Sequence, residues 1–155
     1  MRRKDREVTD QNEIQKILAQ CKVCRIGMAS PEGVYIVPMN FGYEWQGDSL
    51  NIYLHSAKEG RKISLLRENP QVGIEMDCRH ELVESDKACG YFYRYASIIG
   101  NGKAQIVKDT SEKQKALSLL MKHQTGKDIC FTEFEAGNVA IIKITVTQLS
   151  AKKHQ

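Results

Sequence analysis

The 155-residue sequence predicts a mainly β fold, a barrel or curled antiparallel sheet with a few flanking helices. Short segments with strand-like patterning recur along the chain, separated by turns such as Pro31-Glu32-Gly33 and Gln46-Gly47-Asp48. One long strand-like stretch, Tyr91 to Val107, is interrupted by Gly100 and Gly102, as a strand that bends or carries a bulge would be. A doubly wound parallel sheet would instead alternate strand and helix regularly, and this chain does not.

The first periodic segment starts at Asp10, whose side chain can accept from the open amides of the next turn while Glu13 reaches back. Ile14, Ile17 and Leu18 then form one apolar helical face, which should end near Gln20. Val23 to Met28 reads as a strand, Val34 to Tyr43 as its hairpin partner, and Leu50 to His55 as a third strand of a meander. In that third strand Leu50, Ile52 and Leu54 point to one face, and Asn51, Tyr53 and His55 to the other. A short helix from about Ala57 to Arg67 is closed by Asn69-Pro70, and Val72 to Met76 returns to strand. Glu81 to Cys89 is polar and irregular. Thr110 or Ser111 caps a last helix through about His123, with Ala116, Leu117, Leu120 and Met121 as its apolar face, and Val139 to Leu149 closes the sheet.

Size and composition fit one domain over residues 1–155, with a basic amino-terminal arm at 1–8 and a carboxyl-terminal tail at 150–155. At 41% hydrophobic residues such a chain can bury roughly two-thirds of the surface its unfolded form exposes. The formal charge of +4 owes much to Arg2, Arg3, Lys4 and Arg6, a charged arm rather than a basic face. The remaining cations are offset by 19 Asp and Glu, and no basic stripe interleaved with aromatics is present, so nucleic acid is not an expected partner. The longest apolar runs, such as Val139 to Ile142, fall far short of the roughly 20 residues that span a bilayer. Five cysteines and no apolar stretch after the amino-terminal cations lead us to expect reduced thiols and a cytoplasmic location.

The most informative stretch is His55-Ser56-Ala57-Lys58-Glu59-Gly60-Arg61-Lys62, where strand gives way to helix. Ser56 and Glu59 have capping-box spacing. Lys58, Arg61 and Lys62 in the first two turns oppose the macrodipole, unless an anion lets amides, dipole and cations converge on one phosphate. The alternative is that these long side chains splay into water, at a cost of only about 0.3 to 1 kcal/mol. Gly60-Arg61-Lys62-Ile63 is not a Walker loop, and Gly100-Asn101-Gly102 is not a dinucleotide fingerprint. Pro38 cannot donate to a ladder, so its strand belongs at an edge or bulge. Backbone groups beside it could meet the polar rim of a flat heterocycle with Met39 or Phe41 over its face; a bulge at a barrel rim accounts for the proline equally well.

Cys21 and Cys24 form a Cys-x-x-Cys with Cys78, His80 and Cys89 further on, but no second close pair completes a zinc set, and we expect free thiols and no metal. His55 directly precedes the cation cluster, yet neither it nor His123 has a carboxylate or nucleophile at recognisable spacing, so no catalytic residue is assigned.

These residues resemble the 5-nitroimidazole resistance family of the pyridoxamine 5'-phosphate oxidase-like split barrels. The similarity runs from Met1-Arg2-Arg3-Lys4-Asp5-Arg6-Glu7 through Arg25-Ile26-Gly27-Met28, Tyr35 to Tyr43 and His55 to Lys62, and on to Tyr95-Ala96-Ser97-Ile98-Ile99-Gly100-Asn101-Gly102-Lys103. The resemblance implies a six-stranded antiparallel split barrel that forms a homodimer with FMN between the subunits. It implies that Val37, Pro38, Met39 and Asn40 border the isoalloxazine through backbone groups. His55, Ser56, Gly60, Arg61 and Lys62 would line the ribityl-phosphate end, with Arg61 and Lys62 as the main phosphate cations; Arg25 and Ser97 carry over as further contacts. The implied activity is a flavin-dependent oxidoreductase passing electrons from NADH or NADPH to a small acceptor such as a nitroaromatic. A non-catalytic flavin- or haem-binding protein, with His55 as iron ligand, is the alternative. No segment matches the substrate-binding carboxyl terminus of pyridoxamine-phosphate oxidase itself, since the chain ends Ser150-Ala151-Lys152-Lys153-His154-Gln155.

Overall fold

The computed structural model describes residues 3–154, so Arg2 of the basic arm and Gln155 lie outside the described residues. The strands are β1 (Glu7–Val8), β2 (Val23–Ser30), β3 (Gly33–Asn40), β4 (Gly42–Gln46), β5 (Ser49–Ser56), β6 (Gln71–Val83), β7 (Phe92–Ile106) and β8 (Ala140–His154). The helices are α1 (Gln11–Gln20), α2 (Arg61–Glu68), α3 (Thr110–Thr125) and α4 (Glu133–Gly137). All eight strands join one antiparallel sheet in the order β3-β2-β6-β7-β8-β5-β4, with β1 added to β8. The sheet curls until β3 approaches β5, and one side of it encloses the main core.

Alternation explains what lines that core. Cys24, Ile26 and Met28 of β2, Val72, Ile74 and Met76 of β6, Ala96 and Ile98 of β7, and Ile142 and Ile144 of β8 are all buried. Ile14, Ile17 and Leu18 of α1 join the same cluster, as the helical periodicity requires. β5 is buried on both faces: Leu50, Ile52 and Leu54 point into the core, while Tyr53 packs with Ala116 and Leu117 of α3 in a second cluster. The Tyr53 hydroxyl donates to Glu44 at 2.6 Å, so its burial leaves no polar atom unpaired.

Several sequence expectations change. The stretch from Val34 to Tyr43 is two strands, and the meander is broken at Phe41: β3 and β4, nearly continuous in sequence, lie at opposite edges of the sheet. Phe41 is fully buried, worth about 1.5 to 3 kcal/mol, and draws the chain inward there. Gly42 then passes against the backbone of Leu119 and Leu120, where no side chain fits, and β4 pairs with β5 beneath α3. This split, together with β1, raises the strand count from the expected six to eight among the described residues.

The described end of the amino-terminal arm belongs to the sheet, since Glu7 and Val8 pair with Lys152 and Ala151. Residues 150–154 are not a tail, because β8 runs to His154 and pairs there with β7. Asp109, not Thr110 or Ser111, caps α3, its side chain accepting from the Glu112 amide at 2.8 Å. α4, opened by a capping box between Thr132 and Glu135, was not anticipated. At Asn101/Gly102 the β7–β8 register shifts, consistent with the bulge expected from the two glycines.

Candidate functional site

The site is built where β5 hands over to α2. Ser56 still pairs with Ala140 of β8 and is buried, so the expected Ser56–Glu59 capping box does not form. The helix starts instead at Arg61, with Gly60 as N-cap at φ 123°, a backbone conformation that favours glycine. Gly60 has no side chain with which to cap, and the first turn carries no acid. The open amides of α2 therefore meet Arg61 and Lys62 without any built-in anion. Ile63, Leu65 and Leu66 are buried beneath, anchoring α2, which packs against β2.

The two cations differ in their surroundings. Arg61 Nη2 lies 2.6 Å from Glu32 Oε2 and 3.3 Å from Ser30 Oγ, and its guanidinium sits 4.5 Å over the Tyr35 ring. It thus ties α2 to the β2–β3 hairpin. Lys62 is half-buried, and desolvation lowers its pKa; among the described residues no carboxylate lies within ion-pair distance of it. A cation that has lost water without gaining an acid is stabilised by an incoming anion.

Tyr35, Val37 and Met39 alternate inward on β3 and pack against the core, while Pro38 and Asn40 face outward. β3 is an edge strand, where Pro38 leaves no central ladder bond unmade. Asn40 Nδ2 is engaged, donating to Lys22 O at 3.1 Å and Gln124 Oε1 at 3.2 Å. His55 is exposed next to the end of β5, opposite Ile141.

Arg25 does not offer a free charge: its Nη1 lies 2.8 Å from Glu75 and 2.6 Å from Asp77, and these hydrogen bonds raise its pKa further. Ser97 stands opposite Asp77 in the β6–β7 ladder, on the face that carries Arg25 rather than at the start of α2. The structure therefore sets Gly60, Arg61 and Lys62 at the start of α2, leaves Ser56 buried in the ladder at the end of β5, sets Val37 to Asn40 along the edge strand, and leaves Arg25 and Ser97 on the outer sheet face. Sequence reasoning missed Ser30, Glu32 and Tyr35, since they reach Arg61 only through the hairpin and no local spacing marks them.

The outer face also carries a groove of about 400 Å³ that includes Gly27, Ile36, Gly73, Ile99 and Asn101. Gly27 and Gly73 are register partners, so two missing side chains form its floor. Val34, Ile36 and Ile99 are 72%, 60% and 47% exposed on or beside it, an apolar surface left open in one chain.

Five thiols are free. Cys21 and Cys24 are buried, and Cys89 and Cys130 exposed. Among the described residues no group of three or more His, Cys, Asp or Glu is arranged to hold a metal ion, and no helix is long and apolar enough to cross a membrane.

An antiparallel sheet curled around a single main core, with helices against it and a cationic helix start beside an edge strand, defines a split barrel. The chain belongs to the pyridoxamine 5'-phosphate oxidase family, whose model matches residues 10–153, and within it to the 5-nitroimidazole resistance-like branch. A candidate 5-nitroimidazole antibiotic resistance protein of Bacteroides thetaiotaomicron is 35% identical over 95% of this chain and 86% of its own, with a TM-score of 0.80. The flavocytochrome Anf3 of Azotobacter vinelandii shares the fold at 18% identity and TM-score 0.80, over 100% of this chain and 72% of its own. A FAD- and haem-binding protein of Mycobacterium smegmatis does so at 15% and 0.79, over 97% and 74%. A search of curated proteins finds no match.

Proposed function

We propose that this protein binds FMN at the interface of a homodimer and passes reducing equivalents from NADH or NADPH to a small acceptor such as a nitroaromatic. The observation that carries the reading is the start of α2, an uncapped helix amino terminus with Arg61 and Lys62, no acid in its first turn, and Gly60 leaving its approach open. Amides, dipole and a half-desolvated ammonium suit a phosphate monoester. The adjacent edge strand β3 supplies the backbone from Val37 to Asn40, whose unpaired edge suits the polar rim of a flat ring.

FMN, when bound, supplies the redox chemistry. The chain's own residues bind and orient it: Lys62 and the first-turn amides hold the phosphate, and Tyr35 keeps Arg61 at the helix start. The open apolar face around Ile36 and Ile99 supports the dimer, because a monomer seldom leaves such a patch exposed. The flavin and haem named for the Azotobacter and Mycobacterium proteins support a prosthetic-group site on this fold, and exposed His55 keeps a haem reading specific enough to test.

The test is the visible spectrum of purified protein with FMN or hemin added, followed by NADH and NADPH. Flavin bands that bleach with a nicotinamide and recover with a nitroaromatic are expected. Arg61→Ala combined with Lys62→Ala should weaken FMN binding by about 100-fold, two charge-assisted contacts at roughly 1.5 kcal/mol each. Unchanged affinity in that variant sinks the phosphate assignment, and a Soret band lost in His55→Ala without flavin uptake replaces it with haem.

A further inference from the structure

A cationic cavity lies at the end of β2 away from the start of α2. It holds about 290 Å³ and is lined by Arg79, Glu81, Arg94, Tyr95, Lys153 and His154. Arg79 bonds Gln20 just before β2, whereas Arg61 bonds Ser30 at the end of β2. Eight strand residues at about 3.3 Å each separate the two places by roughly 25 Å.

Three independent features single out this cavity. The first is backbone geometry: Arg79, at φ 61°, is the one non-glycine residue with positive φ among the described residues, and it sits in the register shift between Cys78 and Glu81. A bulge with a residue in this sparsely populated region re-aims a side chain at a cost, and persists because its surroundings hold it. Here the holders are Gln20 Oε1 at 2.7 Å from Nε and Glu13 Oε1 at 2.8 Å from Nη1.

The second is an unused hydrogen-bonding edge. Arg94 donates from Nη1 to Glu81 at 2.9 Å, while its Nε–H is shielded from water and has no partner among the described residues. The Nε–Nη2 edge of a guanidinium is the side-on fork that grips two oxygens of a carboxylate or phosphate, and on Arg94 no protein acceptor among the described residues occupies its Nε.

The third is a cation in excess beside an imidazole. Arg79, Arg94 and Lys153 face two acids, Glu81 paired with Arg94 and Glu13 paired with Arg79, and Glu13 reaches Lys153 only at 3.7 Å. Arg6 Nη2, which can only donate, lies 3.2 Å from His154 Nε2, and His154 Nδ1–H donates to the Tyr93 carbonyl at 2.9 Å. The ring of His154 is thereby held from both sides, and Arg6 brings a further cation beside it.

We propose that this cavity is a binding site for a small oxyanion, a carboxylate or phosphate of a few heavy atoms, gripped by the side-on fork of Arg94 with Lys153 and Arg79 completing the positive wall. Because Nε is shielded and Nη1 is held by Glu81, the fork engages a ligand when the guanidinium turns into the cavity and exchanges Glu81 for the incoming oxyanion. The site does not depend on the flavin reading, since none of its residues belongs to the α2 cluster.

The test is a titration of the isotopically labelled full chain with succinate, and separately with inorganic phosphate, followed by amide chemical shifts. Saturable shifts around Arg79, Arg94 and Lys153 are expected, and whichever probe binds more tightly tells carboxylate from phosphate. Arg94→Gln and the charge-preserving Arg94→Lys should each weaken this binding at least about tenfold, because both lose the fork. Arg61→Ala with Lys62→Ala should leave it unchanged. Shifts confined to residues 56–64, no saturable shift, or wild-type affinity in Arg94→Lys overturns the proposal.

Discussion

The guanidinium of Arg61 lies 4.5 Å above the ring of Tyr35, with its Nη2 2.6 Å from Glu32, so one side chain links the first turn of α2 to the β2–β3 hairpin. Both members of the ion pair are exposed, and such pairs contribute little to stability. Exchanging Glu32 for a ligand anion would therefore cost Arg61 little.

Arg61→Ala separates the two roles. Its effect on the unfolding free energy of the cofactor-free protein should stay within about 1 kcal/mol. The rise in melting temperature produced by added FMN should shrink markedly, since ligand stabilisation follows affinity. Thermal unfolding with and without FMN measures both, and an equal drop in the two conditions would assign Arg61 a purely structural part.

Ile36→Glu tests the dimer. Ile36 is 60% exposed beside the Gly27–Gly73 floor, so a monomer tolerates the charge, whereas two copies joined across this face bury it. Light scattering should report a dimer for the native chain and a monomer for the variant, with FMN binding weakened in parallel. A variant that remains dimeric places the interface elsewhere.

The thiols should divide by burial. Desolvation pushes Cys24 up to about 12 and Cys21 well above its ordinary value, and it raises Cys78 as well. Since the thiolate is the reactive form, Cys89 and Cys130 should react rapidly with an aromatic disulfide at pH 8 and Cys21 and Cys24 only on unfolding. Counting fast and slow thiols in native protein decides it; five fast thiols contradict the packing.

Glu13 predicts part of the acid sensitivity. The hydrogen bond from Arg79, helped by the charge of Lys153, lowers its pKa below the ordinary 4.5 despite desolvation. A carboxylate whose folded-state pKa is depressed stabilises the fold above its unfolded value, and that contribution disappears as pH falls through the folded one. Glu13→Gln should be less stable than the native chain near pH 7, and the gap should narrow as pH falls below the ordinary 4.5 and close once the folded-state carboxylate is protonated, in urea titrations. A gap independent of pH would mean that packing, not charge, is what the substitution disturbs.

Local patterning in the sequence determined much of this. Alternation in Leu50, Ile52 and Leu54, the α1 face of Ile14, Ile17 and Leu18, and the turns at Gly33 and Gly47 each reflect forces acting within a few residues. The cation pair Arg61-Lys62, on which the proposed anion site rests, was legible at a helix start because a helix start is a local object. The expected Ser56 cap failed because Ser56 remains in the ladder with Ala140, a pairing made by a strand more than 80 positions away.

Only the tertiary structure decided which surfaces meet. Sequence order suggested a meander, but Phe41 is drawn into the core and Gly42 slips beneath Leu119 and Leu120, sending β4 to the far edge of the sheet. Arg25 looked available in sequence, and cross-strand register delivered it to Glu75 and Asp77. Arg79, Arg94 and Lys153 carry no shared motif; a bulge in β6 and the β7–β8 ladder gather them around one cavity. Backbone propensity and capping act over a turn of chain and can be read from neighbours, whereas register and burial join residues separated by many tens of positions, and those joins set the charge balance of each site.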